Sequence, residues 1–323
     1  MNQNIKSIVF FGECMVEHRQ QGSHFGGDTF NTAWYLQHLL QQDADNYYVI
    51  YYATAIGSGE ACLGFSELMQ RADINQTFVA KHPSKVLGQY WVENNESGER
   101  TFRFDRNHSA ARDYFALTDT LISALLSKTI DAIYLSGISL AILSTEHRTL
   151  LINALHRFKS LGGTIWFDNN YRPVLWQQTC PQSWYLAMMS LCDIAFLTDE
   201  DEYAIFGTQQ ATDILTFHRQ KQSHPQILVI RQGASPCVIS ESQQQIEYVA
   251  AANVATNKIV DTCAAGDAFS AGFLAQYIHG ASFTQAANFA HTLASVVICH
   301  HGALIAPDLL PSLHTPEVTS VFN

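Results

Sequence analysis

Val260-Asp261-Thr262-Cys263-Ala264-Ala265-Gly266-Asp267-Ala268-Phe269-Ser270-Ala271-Gly272-Phe273 runs a polar, small-residue turn into an apolar segment. From Thr262 to Gly266 the chain has little side-chain bulk, and Phe269, Phe273, Leu274 and Tyr277 then recur at helical spacing. The spacing predicts a helix that begins at this turn. A helix N-terminus carries unbonded N–H groups and the positive end of the dipole, and small residues let an anion approach both. A phosphate fits there. Asp267 falls in the first helical turn, where a carboxylate beside that phosphate can take the proton of a substrate hydroxyl. The same residues read more plainly as tight packing with an acidic cap, and local chemistry leaves both readings open.

Working outward, the motif closes a chain of alternating strands and helices. Ile8-Val9-Phe10-Phe11, Tyr48 to Ala53, Ala132 to Ser136, Thr164 to Asp168, Ile194 to Leu197 and Ile227 to Ile230 are short apolar runs of the buried parallel kind, separated by helical patterns such as Ser144 to Leu161. This order predicts an α/β fold with a doubly wound, mostly parallel sheet, whose ligands belong at the strand C-termini. Gln89 to Glu93 and Arg100 to Phe104 break the pattern as a hairpin around a polar loop. Glu13 to His24, without helical period, reads as an extended excursion off the sheet. After it, Phe25-Gly26-Gly27-Asp28-Thr29-Phe30-Asn31 forms a turn and a cap before a helix with Ala33, Leu36, Leu39 and Leu40 on its buried face.

The chain has 323 residues, 47% hydrophobic and 15% charged, enough for one large domain. Eighteen Lys and Arg against 29 Asp and Glu give a net charge of −11, which argues against nucleic acid and anionic membranes as partners. Seven scattered cysteines without a C-x-x-C pair suit a reducing cytosol, and no segment reads as a signal peptide or a membrane span. A cytoplasmic location is expected.

Asp261-Thr262-Cys263-Ala264-Ala265-Gly266-Asp267 resembles the Asp-Thr-x-Gly-Ala-Gly-Asp signature of the PfkB/ribokinase family of sugar kinases, with Ala264 in place of a glycine. Such a methyl is tolerated at negative φ and obstructs the loop at positive φ. Within the family, Gly12-Glu13-Cys14-Met15, Gly26-Gly27-Asp28-Thr29 and Asp168-Asn169-Asn170-Tyr171-Arg172-Pro173 are similar to the branch acting on 2-keto-3-deoxygluconate. The resemblance covers essentially the whole chain. It implies a ribokinase-like domain over residues 1–323, with a small β-sheet lid formed by about 13–25 and 86–106. It also implies ATP and Mg²⁺ as cofactors and transfer to the 6-hydroxyl of the sugar acid.

By the same resemblance Asp267 is the base, and the amides of Ala264, Ala265 and Gly266 form the anion hole. Gly27, Asp28, Asn31 and Tyr90 line the sugar, Arg106 takes its carboxylate, and Phe104 stands where the branch has a tyrosine. Arg172 meets substrate and transferring phosphate. Asn170, Thr198, Arg231 and Gly233 belong to the nucleotide side, and Asp201 stands where an acid reaches Mg²⁺ through water. Kinases of this type often pair through the lid, which implies a homo-oligomer; the apolar Tyr90, Trp91, Val92, Phe102 and Phe104 of the hairpin fit that pairing and equally fit covering the active site alone. Two rivals remain: a fructokinase-like enzyme, if Phe104 has undone acid recognition, and a catalytically silent sugar binder on the same fold.

Overall fold

The computed structural model describes residues 5–19, 22–94, 100–176, 180–221, 225–241 and 245–314, with backbone alone at 92–94, 100–102, 104 and 245. Among these, thirteen strands form two sheets. The larger holds β1 (Ser7–Phe11), β4 (Val49–Ile56), β5 (Val79–Lys81), β8 (Ala132–Ser136), β9 (Thr164–Asp168), β10 (Ile194–Thr198), β11 (Ile227–Gln232), β12 (Ser235–Glu241) and β13 (Gln245–Val249). The smaller holds β2 (Met15–Arg19), β3 (Gly22–Gly26), β6 (Gly88–Asn94) and β7 (Arg100–Asp105).

The order in the large sheet is β13-β12-β11-β10-β9-β8-β1-β4-β5, with every neighbour pair from β11 to β5 parallel and β12 and β13 antiparallel. Two-residue alternation explains the apolar runs. Ile8 and Phe10 of β1, Trp166 of β9 and Phe196 of β10 face one layer of core, while Val9, Phe11, Phe167 and Leu197 face the other. Helices Asp28–Leu40, Ala265–Ile278 and Phe283–Val297 cover the first layer, and Thr145–Ser160 and Gln182–Met189 the second. The chain winds outward from β1 in one direction through β4 and in the other through β8, so a crevice opens at the C-terminal ends beside β1.

The extended excursion and the hairpin combine. β2 and β3 pair antiparallel, β6 joins β2 in parallel, and β7 closes the hairpin with Tyr90 opposite Phe104. Three residues separate β1 from β2, and only Gly27 separates β3 from the helix Asp28–Leu40. The second strand of the large sheet runs to Ile56 rather than Ala53, because Thr54 to Ile56 gain β5 as a partner. Among the described residues no helix is long and apolar enough to cross a membrane.

Candidate active site

The helix Ala265–Ile278 starts where the sequence places it, in an unexpected conformation. Asp261 Oδ1 accepts the Cys263 N–H at 3.0 Å and turns the chain. Ala264 then adopts φ 60° and ψ 10°, and its carbonyl accepts the first helical bond from the Ala268 N–H at 2.8 Å. The methyl therefore sits at positive φ without blocking the turn. Left-handed backbone costs an L-residue about 1–2 kcal/mol, so the loop carries strain that glycine would lack. The Ala265 N–H donates to the Thr262 carbonyl at 3.4 Å, and Ala264, Ala265, Gly266 and Asp267 all line the crevice at this helix start.

Asp267 meets the other end of the chain. Its Oδ2 accepts the Asn31 Nδ2 at 2.8 Å. Asn31 is held in turn, its N–H donating to the Gly27 carbonyl at 2.7 Å and its Oδ1 accepting the Gly27 N–H at 3.3 Å. A side chain on Gly27 would place Cβ 2.2 Å from the Glu13 carbonyl oxygen, so close approach requires glycine there. Burial pushes the Asp267 carboxyl up to about 8; Asp28 and Asp168 add to the rise, while Asn31 and Arg231 oppose it. Asp28, also raised by burial, accepts the Asn170 Nδ2 at 2.8 Å.

On the opposite wall, Asp168 ends β9 and pairs with Arg231 at 2.8 Å, while its Oδ2 accepts Tyr134 Oη and Ser270 Oγ, each at 3.2 Å. Arg231 Nη1 also donates to the Gly266 carbonyl at 3.1 Å, which brings a cation to the helix start. Thr198 Oγ1 caps the helix Asp199–Phe206 by accepting the Asp201 N–H at 3.2 Å. Burial raises the Asp201 carboxyl, and Arg172, 3.9 Å away, opposes that rise. Arg172 itself is half exposed to the crevice.

On the small-sheet side, Tyr90 Oη donates to Glu17 Oε2. Arg106 Nη1 stands 3.7 Å from Oε2 of Glu13, a carboxyl that is 2% exposed and raised by its burial. The crevice is a cleft of about 620 Å³. Its walls include Gly27, Asp28, Asn31, Tyr90, Arg106, Asn170, Arg172, Thr198, Asp201, Arg231, Ala264, Ala265, Gly266 and Asp267, all expected from sequence. Two expected residues are not brought there. Gly233 lies in the tight turn between β11 and β12, at φ 58°, and does not line the cleft. The Phe104 side chain lies outside the described ones.

Asp168 lines the cleft too and was missed, although its place at a strand end before two asparagines signals it. Ile138 and Met15 also line it, with no local mark in the sequence. Among the described residues no group of three His, Cys, Asp or Glu side chains stands ready to hold a metal. Asp168, at the end of β9, and Asp201, just after β10, are carboxylates on the cleft walls, and Asp168 is already held by Arg231, Tyr134 and Ser270.

The profile of the family described as "pfkB family carbohydrate kinase" matches residues 2–309. The chain belongs to that family. Among curated pfkB relatives, the 2-dehydro-3-deoxygluconokinase of Dickeya dadantii is 37% identical over 313 residues, 95% of this chain and 99% of the relative. The protein of that name from Escherichia coli K12 is 35% identical over 312 residues, 95% of this chain and 99% of its own length. Among solved pfkB folds, a fructokinase with bound ATP from Xylella fastidiosa superposes with a TM-score of 0.77 at 20% identity, covering 95% of each chain. A 2-dehydro-3-deoxygluconokinase from Thermotoga maritima superposes at 0.74 and 19% identity, covering 93% of this chain and 95% of that one.

Proposed function

We propose that this carbohydrate kinase transfers the γ-phosphoryl group of ATP to the 6-hydroxyl of 2-dehydro-3-deoxy-D-gluconate. One observation carries the reading: Asp267, at a small-residue helix start, shares a single cleft with Arg106, beside Glu13, and Arg172, beside Asp201. The near full-length likeness to proteins named 2-dehydro-3-deoxygluconokinase supports the choice of acceptor.

In this reading Asp28 and Asn31 bond the sugar hydroxyls, and Asn31 keeps the Asp267 carboxylate aimed at the one that reacts. Asp267 accepts that proton as the oxygen attacks phosphorus. The amides of Ala264, Ala265 and Gly266 and the Arg172 guanidinium stabilise charge on the transferring oxygens. Arg231, fixed by Asp168, holds the helix start in place through the Gly266 carbonyl. Mg²⁺ would be held near Asp201, where it neutralises phosphate charge. Arg106 takes the substrate carboxylate bidentately, and the small sheet acts as a lid that excludes water. The reading extends to a cytoplasmic homo-oligomer paired through that sheet, whose outer strands β3 and β7 each have one free edge among the described residues.

The test is a coupled ADP-release assay with Mg²⁺ on 2-keto-3-deoxygluconate beside fructose, ribose and gluconate. A kcat/KM at least tenfold higher for the keto-deoxy acid is expected. Preference for a neutral sugar would reassign the acceptor, and no turnover on any of them would favour a silent binder.

A further inference from the structure

A line of buried polar groups runs from the sugar side of the cleft to the anion loop. Tyr90 lines the cleft and donates its hydroxyl to Glu17 Oε2. Glu17 Oε1 pairs with Arg19 Nε, and Arg19 Nη2 reaches Asp261 Oδ2 at 2.8 Å. Asp261 Oδ2 also accepts the Gly302 N–H at 3.2 Å, and Oδ1 holds the Cys263 N–H that starts the loop. The side chains are nearly closed to water, with Glu17 1%, Arg19 13% and Asp261 2% exposed.

Glu17 and Arg19 belong to β2 of the small sheet, whereas Asp261 opens the loop that leads through Ala264 to Asp267. Two buried carboxylates, Glu17 on β2 and Asp261 in the loop before the helix Ala265–Ile278, therefore face each other with the Arg19 guanidinium between them. Arg19 engages them with separate nitrogens, Nε for one and Nη2 for the other, a fork that a lysine ammonium does not reproduce. Without it the acids repel in a poorly solvated site, and the junction opens.

We propose that Arg19 is a positioning residue that ties the pose of the sugar-facing sheet to the shape of the anion loop, so that sugar on one side tightens nucleotide on the other. This rests on the phosphoryl-transfer reading given above. A ligand that settles Tyr90 and β2 in one pose favours, through Arg19, the turn that Asp261 holds, and the linkage must be reciprocal.

The experiment measures Mg²⁺·AMP-PNP binding by calorimetry, with and without saturating 2-keto-3-deoxygluconate, fructose or ribose, in the native protein and in Arg19→Met. In the native protein the preferred sugar is expected to tighten the nucleotide about fivefold or more, the lower range of measured allosteric couplings. In Arg19→Met the factor falls below about twofold, while each ligand alone binds within about threefold of native. If Arg19→Met does not fold, Arg19→Lys decides, with a reduced factor at near-native Tm expected. Full synergy in a folded variant overturns the proposal, as does absence of synergy with every sugar in the native protein. Synergy confined to fructose or ribose would instead reassign the acceptor and leave the Arg19 comparison readable with that sugar.

Discussion

Replacing Asp267 by Asn separates catalysis from stability. The Asp267 carboxyl is raised from 3.8 to about 8, first by burial and then by Asp28 and Asp168. Below about pH 4 the group is protonated in both folded and unfolded chains, and it contributes no difference. Between about 4 and 8 the unfolded chain releases the proton while the folded one keeps it, so native stability falls as pH rises; above 8 the loss levels off. A shift of about 4 units, at about 1.36 kcal/mol each, sets a ceiling of roughly 5–6 kcal/mol. Water reaching this partly exposed side chain reduces the expected figure to about 2–3 kcal/mol. Asparagine keeps the bond from Asn31 and carries no charge. Urea unfolding of the ligand-free proteins at pH 4, 6 and 9 should therefore show the variant level with native at pH 4 and about 2–3 kcal/mol more stable at pH 9. Its kcat should fall by about 10²–10⁴. A stability difference independent of pH, or turnover near native, would refute the reasoning about this carboxylate.

Ala264→Gly should stabilise by about 0.5–1 kcal/mol, the relief of left-handed strain less the added freedom of the unfolded chain, and raise Tm by about 2 °C in scanning calorimetry; a lower Tm would mean that the methyl packs usefully. Gly27→Ala should reduce kcat/KM for the sugar about 10²-fold, because its Cβ meets the Glu13 carbonyl and displaces Asp28 and Asn31; near-native kinetics would show that the turn yields. Arg106→Leu should raise KM for the keto-deoxy acid by about 10–100-fold and leave that for fructose within about threefold, since only the acid offers a carboxylate. An equal rise for both sugars would place Arg106 elsewhere in the mechanism.

Much of this was legible because it is local. The strand runs alternate between two core layers, and the turns before Asp28 and Ala265 announce their helices by composition. What stayed hidden are pairings between distant residues. Asn31 and Asp267 are 236 positions apart, and nothing in either motif says that one aims the other. Arg231 was expected on the nucleotide side, and it does line the cleft, but its bond to Asp168 is invisible until β9, β10 and β11 are laid side by side. Gly233 shows the opposite limit: it fits a family pattern, while in space its positive φ serves the turn of a hairpin.

The short connections around β2 and β3 have a mechanical consequence. With three residues on one side and one on the other, this half of the small sheet is tied down at both feet, one in β1 and one in the helix that presents Asp28 and Asn31. Such a strap has little slack, so it cannot swing as a free flap, and any travel at its outer edge is felt at its roots. The free-energy cost of ordering it around a substrate is correspondingly small, because the sugar has only to select among closely related poses of β2 rather than order a free loop. Lengthening the foot between β1 and β2 by a few glycines would loosen the strap without replacing any residue that lines the cleft.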